Sequence, residues 1–340
     1  MLKRLGIFLL LLLAIAAGAA WWMKLRLDTP YRAFDAAEVF VDLPPGSGVA
    51  GIGDRLAEAG VVPDALTFRL AAELAGVERR LQAGEYRFAQ PASPREVAVR
   101  IAHGDIYKHP ITFPEGLTIE EMAAVFGKSG FGTAADFTSA AHDTSLIGDL
   151  DPDARSLEGY LFPSTYTLPR KAGATGTVQA MVAEFNKSFD AELRLAAESE
   201  HMTPRDVVTL ASIIEKETAR PEEREIVSAV YHNRLKSGML LQCDPTVIYA
   251  LMLAGTWNGN IRRADLQIDS PYNTYRYPGL PPGPIASPGR LSLEAAVHPA
   301  DVKYLYFVSR NDGTHVFATT LEEHNRNVLK YQIIRSKHRP

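Results

Sequence analysis

Thr203-Pro204-Arg205-Asp206-Val207-Val208-Thr209-Leu210-Ala211-Ser212-Ile213-Ile214-Glu215-Lys216-Glu217-Thr218 reads as one helix with both ends marked in the sequence. Thr203 is a good N-cap, Pro204 suits the first helical position, and Asp206 sits where a capping box needs its acidic partner. Val207, Leu210, Ala211 and Ile214 form an apolar stripe at helical spacing. Pro221 limits the helix, so its last turn falls near Glu215 to Thr218. Glu215 stands out because it follows Ala211 by four residues and Val208 by seven, and so extends a mostly apolar face. A carboxylate there is expected to be desolvated. The negative end of the helix dipole acts in the same direction, and both raise the pKa towards what a general acid needs. Glu217 points to a different side. The competing reading of Glu215 is a structural salt bridge to Lys216, Arg220 or Arg224, and spacing alone does not choose between the two.

Upstream, Gln179 to Glu200 reads as a helix with Met181, Phe185 and Phe189 on one side. The aromatic stretch Leu157 to Tyr166 reads as irregular backbone packed against something larger. Nearer the N-terminus a strand–turn–helix pattern occurs twice. Val39, Val41 and Leu43 alternate, Pro44-Pro45-Gly46 turns, and Val49, Ile52 and Leu56 take helical spacing. About seventy residues later Ile111 and Phe113, Pro114-Glu115-Gly116, then Ile119, Met122 and Phe126 repeat it. Between them lie a helix near Leu66 to Ala75, a strand at Tyr86 to Phe88, and a helix from Pro94 to His103 capped by Ser93. The region from about Glu38 to His103 is therefore expected to be a small α+β unit of its own. Downstream, Asp244 before Pro245 reads as a helix N-cap. Asn311-Asp312-Gly313 is a hairpin turn between Tyr304–Ser309 and Thr314–Ala318, and Thr320 with Glu323 forms a capping box. His232, His298, His315 and His324 lack a zinc spacing and read as structural, so no metal site is expected.

At the N-terminus Lys3 and Arg4 precede an uncharged run from Leu5 to Met23, about the length that crosses a bilayer as a helix. Trp21 and Trp22 close that run, where indoles favour the membrane interface. Ala17-Gly18-Ala19 resembles a signal-peptidase site, but the run continues past it, which favours an uncleaved anchor over 1–27. Residues 28–37 read as a tether. Either form of export segment puts the bulk of the chain outside the cytoplasm. The net charge of −4 and the lack of a dense basic stripe argue against nucleic acid as a partner. Cys243, the one cysteine in the chain, excludes an internal disulfide.

Ala211 to Thr218 resembles the signature of the endolytic murein transglycosylase (YceG-like) family. Further blocks are similar to that family in order: Leu157-Glu158-Gly159-Tyr160-Leu161-Phe162-Pro163, Asn233-Arg234-Leu235, Leu241 to Tyr249, Tyr272-Asn273-Thr274-Tyr275, Gly279 to Ile285, His298-Pro299-Ala300 and Tyr304 to Val308. The resemblance runs from the anchor to about Lys330. Cys243 departs from it, standing where a small polar residue such as Thr is expected. The resemblance implies an α+β protein. It would have an N-terminal transmembrane helix, a small LysM-like subdomain at 38–108 and a larger mixed catalytic domain at 109–335. It also implies a single-pass protein of the bacterial inner membrane with most of the chain periplasmic. Its partners would be peptidoglycan glycan strands, the membrane and neighbouring peptidoglycan synthases, with no cofactor.

The implied reaction cleaves the β-1,4 bond from N-acetylmuramic acid to N-acetylglucosamine within a strand, leaving a 1,6-anhydro end. The family's catalytic glutamate is carried onto Glu215. Candidate substrate-binding residues in the matching blocks are Glu158, Tyr160, Gln242, Asp244, Thr246, Asn273 and Tyr275. Loop bracing and capping are their competing roles. Two other functions stay open from sequence. One is a muramidase using Asp244, Asp265 or Asp269 as second carboxylate. The other is a non-catalytic glycan-binding scaffold.

Overall fold

A computed structural model describes residues 2–334, with side chains from 7 to 333. Met1 and residues 335–340 lie outside it, including the last residue of the expected catalytic domain. The described chain falls into two compact units. The first runs to His109 and takes in Thr167–Lys171, and the second holds Pro110–Tyr166 and the chain from Ala172 onwards.

The first unit opens with α1, Leu2–Asp28, which contains Leu5, Trp21 and Trp22. Its segment Ile7–Asp28 is long and apolar enough to cross a membrane. Then come β1 (Val39–Leu43), α2 (Val49–Glu58), α3 (Ala65–Leu74), β2 (Gly84–Phe88) and α4 (Pro94–His103). β1 and β2 pair antiparallel, Val41 opposite Tyr86, with α2 and α3 on the connection between them. The alternation seen in sequence decides which side is sealed: Val41, Leu43, Tyr86 and Phe88 face the core with Leu56, Phe68 and Ile101. Ser93 and Glu96 form a reciprocal capping box on α4, which fixes its start at Pro94. The stretch expected to be a tether is instead pinned to this unit. Tyr31 bridges Ala92, the Ala33 N–H donates to the Gly60 carbonyl, and Arg32 donates to three carbonyls. Backbone groups satisfied in this way do not behave as a free linker.

The unit boundaries fall within β3 (His109–Thr112) and β4 (Thr165–Leu168), which pair with each other. Between them lie α5 (Ile119–Lys128) and α6 (Ala134–Ala140), each with a Thr capping box. Gln179 to Glu200 is two helices rather than one: α7, Gly173–Ser188, and α8, Ala191–Ser199. Asp190 accepts from the Leu193 N–H and starts α8, while Phe189 leaves helical geometry to bury its ring. This local side-chain bond competes with helix continuation, and the stripe of apolar residues did not reveal it.

At the centre of the second unit lies α9, Pro204–Glu217, with its Thr203–Asp206 capping box. Every residue from Val207 to Ile214 is buried, packed by α8, α10 (Pro221–Lys236), α11 (Asp244–Leu253) and α12 (Arg290–Val297). The hairpin β5 (Tyr306–Ser309) and β6 (His315–Ala318) follows, with Asn311 in the left-handed region. Thr320 caps the closing helix α13, Leu321–Val328, by accepting from the Glu323 N–H. The return bond of the expected box is absent: the Glu323 carboxylate takes the Thr319 N–H instead.

Candidate active site

Two carboxylates leave the last turn of α9 on different sides, and their surroundings differ. Glu215 is enclosed. Its Oε1 accepts from Arg224 Nη2 at 3.0 Å, and its Oε2 accepts from the Gly289 backbone N–H at 3.0 Å. Arg224 is itself buried and also faces Glu115 Oε2 at 3.7 Å. The Pro114-Glu115-Gly116 turn closes this side. Gly116 N–H donates to Ser287 O, Ser287 N–H donates to Leu117 O, both at 2.8 Å, and Lys216 Nζ donates to Gly116 O at 2.9 Å. Gly116 turns here at φ +75°, which favours glycine. A Cβ on Gly289 would stand 1.9 Å from Glu115 Oε1, so a larger residue there would push the Glu115 side chain aside. Burial raises the Glu115 pKa, the Glu215 charge raises it further, and Arg224 opposes both. The structure thus gives Glu215 the arginine partner that spacing had left open, within an ion cluster that ties α9 to two loops.

Glu217, on the other side, is half-buried. It borders a cavity of about 380 Å³ whose wall includes Tyr231, Gln242, Asp244, Tyr275 and Phe307. Its Oε1 accepts from the Tyr231 hydroxyl at 2.9 Å and from the Cys243 thiol at 3.0 Å. Burial of the carboxyl raises the Glu217 pKa, and the nearby Asp244 charge adds to this, while the thiol and phenol donors oppose it. Burial also holds Tyr231 and Cys243 well above their ordinary values, so both stay neutral donors. A half-buried carboxyl held by two neutral donors and open to a polar cleft can give up a proton and take it back.

The sugar-contact candidates separate into three groups. Gln242, Asp244 and Tyr275 line the cavity with Glu217. Gln242 reaches it from a left-handed backbone, φ 51°, and Tyr275 donates its hydroxyl to Asp244 Oδ1 at 2.6 Å. Asp244 is the first residue of α11 and not its N-cap. That position belongs to Cys243, which provides no side-chain cap. Thr246 and Asn273 are fully buried. Thr246 donates to Cys243 O, and Asn273 donates to Leu266 O and Ile268 O while accepting from Tyr275 N, so they brace the loops behind the cavity.

Glu158 and Tyr160 border a second cavity of about 330 Å³ with Arg205 and Tyr272. Tyr160 donates to Asp151 at 2.6 Å, and Arg205 pairs with the same carboxylate. Glu158 accepts from the Ile119 N–H and the Tyr249 hydroxyl, and burial pushes its pKa up to about 8. Both residues are committed to protein partners. Periodicity showed that Glu217 points away from the apolar stripe; that this side opens on a cavity depends on α10, α11 and the hairpin, which no local pattern encodes.

The family described as YceG-like matches residues 41–330. A protein of Bacillus subtilis (strain 168) named endolytic murein transglycosylase is 32% identical over 336 residues, covering 93% of this chain and 91% of its own. A protein of the same name from Streptococcus pneumoniae (strain ATCC BAA-255 / R6) is 31% identical over 361 residues, covering 95% of this chain and 64% of its own. A crystal structure of a putative YceG-like protein from Listeria monocytogenes superposes with a TM-score of 0.58 at 31% identity, over 85% of this chain and 99% of that one.

Proposed function

The chain belongs to the YceG-like family, and on that premise we propose that it is an endolytic murein transglycosylase with Glu217 as its acid–base catalyst. The observation that carries the assignment is the setting of Glu217. It is the carboxyl on the last turn of α9 that borders a polar cavity, held by Tyr231 and Cys243 with its pKa raised by burial. Glu215, the residue first expected in this role, becomes a positioning residue, because its two oxygens are taken by Arg224 and Gly289.

In this mechanism a glycan strand lies in the cavity. Protonated Glu217 donates to O4, the bridging oxygen between muramic acid C1 and glucosamine C4. The C1–O4 bond breaks with oxocarbenium character at C1, and the glucosamine end leaves as an alcohol. The Glu217 carboxylate then takes the proton from the muramyl 6-hydroxyl as O6 attacks C1. The 1,6-anhydro ring closes, no water is consumed, and the carboxyl is ready for another cycle. One carboxyl suffices because the second nucleophile comes from the substrate. Tyr275 and Gln242 are the candidate sugar contacts.

A hydrolase of the same bond is the second reading. It is favoured by one observation: Asp244 lines the same cavity as Glu217. Mass spectrometry of purified strands digested by the protein separates the two, since 1,6-anhydro ends support the lyase and reducing ends the hydrolase. In the same proposal α1 anchors the chain in the inner membrane with the rest outside the cytoplasm. The strand–helix–helix–strand unit acts as a LysM-like glycan-binding module at 38–108, and 109–335 acts as the catalytic domain. Unchanged strand affinity after deletion of the module would count against its role. Peptidoglycan synthases are the proposed neighbours.

A further inference from the structure

We propose that the outward face of α3, the stripe Leu66, Leu70 and Leu74, rests on the surface of the same bilayer that α1 crosses. The proposal depends on the reading of α1 as a membrane span.

The stripe is unusual for a water-facing helix. Leu66 and Leu74 are 63% and 62% exposed, Leu70 is half-buried, and the three recur every four residues. The opposite face of α3, with Thr67, Phe68, Ala71 and Ala72, is buried in the unit's core. Leu70 packs partly against that core, while Leu66 and Leu74 stay mostly uncovered. Those two leucines leave apolar surface in water that burial would stabilise.

The helix α1 indicates what covers them. It is unbroken from Leu2 to Asp28. Its apolar run ends at Met23, and Leu27 is already sealed in the core of the first unit. Those two residues are about 6 Å apart along a helix. The folded unit therefore begins within one turn of the hydrocarbon edge, and there is no linker on which it could swing away.

Arg26, inside that turn, ties α1 directly to the start of α3. Its Nε donates to Thr67 Oγ1 at 2.9 Å, and its Nη2 pairs with Asp64, the N-cap of α3. The same guanidinium lies 5.2 Å from the ring centre of Trp22, an exposed indole at the end of the span. Leu66 lies in the chain between Asp64 and Thr67, the two residues that Arg26 holds. The stripe thus starts beside the Trp22–Arg26 end of α1, and a Trp and an Arg at the end of a span mark a membrane interface. Arg69, exposed and next to Leu70 in the chain, is a cation of the kind that pairs with lipid phosphate.

The test uses the full chain in vesicles of phosphatidylethanolamine and phosphatidylglycerol. Nitroxide labels are placed singly at Leu66→Cys and Leu74→Cys, at Ile15→Cys within the span, and at Glu58→Cys on exposed α2. Cys243 is buried, and the chain without an added cysteine sets the background. Collision of each label with oxygen and with a water-soluble nickel chelate is measured. Labels at 66 and 74 are expected to favour oxygen over nickel several-fold more than the label at 58. If residue 15 is in lipid while 66 and 74 match 58, the docking proposal is overturned with the span intact. Shielding of 66 and 74 from both reagents overturns it in favour of a protein partner or a second copy. If residue 15 itself meets the nickel chelate, the span reading fails and the proposal falls with it.

Discussion

The two sides of the last turn of α9 carry the same functional group in opposite circumstances. On one, Glu215 is locked by a guanidinium and a backbone N–H, with the Glu115 turn closing over it. On the other, Glu217 has a thiol and a phenol as donors and a cavity in front of it. A guanidinium and a backbone N–H together hold a carboxylate in one place. Neutral donors hold it in place while leaving its proton exchangeable. In the proposed mechanism the first side positions and the second carries the chemistry.

The largest expected effect comes from the cavity side. Glu217→Gln keeps size and most contacts but cannot cycle a proton, and turnover is expected to fall by at least about a hundred- to ten-thousand-fold. Melting should change little. Glu215→Gln should reverse that balance. It leaves buried Arg224 short of its nearest countercharge, a loss of about 3–5 kcal/mol in comparable pairs and here at the lower end because Glu115 remains. Activity measured well below its melting point should drop by less than about a hundredfold, through displacement of Glu217. If melting were unchanged, Glu215 would not be the brace described here.

Glu158→Gln tests a carboxyl away from both sides. The Glu158 pKa is about 8 in the folded protein against 4.5 ordinarily, so between those values the native state holds more protons than the unfolded chain. Stability should therefore fall as pH rises from about 4.5 to 8, and the cost of ionising Glu158 should be complete above that. The glutamine variant should lose this slope, a difference of a few kcal/mol by pH 8, read from melting curves across the range. The smallest effect sharpens the thiol's role. Cys243→Ser places a stronger donor on Glu217 and should move the alkaline limb of the activity profile down by a fraction of a pH unit. Cys243→Ala removes the donor and should move it up.

Most of what was legible in the sequence was local. The caps at Ser93 and Thr203 act within four residues, and the helix starts they mark are where the structure has them. The alternation at Val39 to Leu43 likewise names the sealed face of β1. What stayed hidden depends on contacts distant in sequence. Gly289 meets Glu215 from 74 residues away, and Cys243 meets Glu217 from 26. Spacing on α9 gave two carboxyls pointing apart and made Glu215 notable for sitting on the apolar face. That face is where a carboxylate most needs a cation, and Arg224 fills the need. The break at Phe189 and the pinned segment after Asp28 were missed for the same reason, since each is set by a partner that periodicity does not display.

The central claim is tested most directly by one assay on three proteins. Wild type, Glu217→Gln and Glu215→Gln are each given purified glycan strands, at a temperature where melting shows all three folded. The initial rate of 1,6-anhydromuramyl ends is then read by mass spectrometry. The account predicts that wild type forms them, that Glu215→Gln forms them more slowly, and that Glu217→Gln forms none above background. Near-normal formation by Glu217→Gln, with Glu215→Gln silent, would contradict it and return the acid–base role to Glu215.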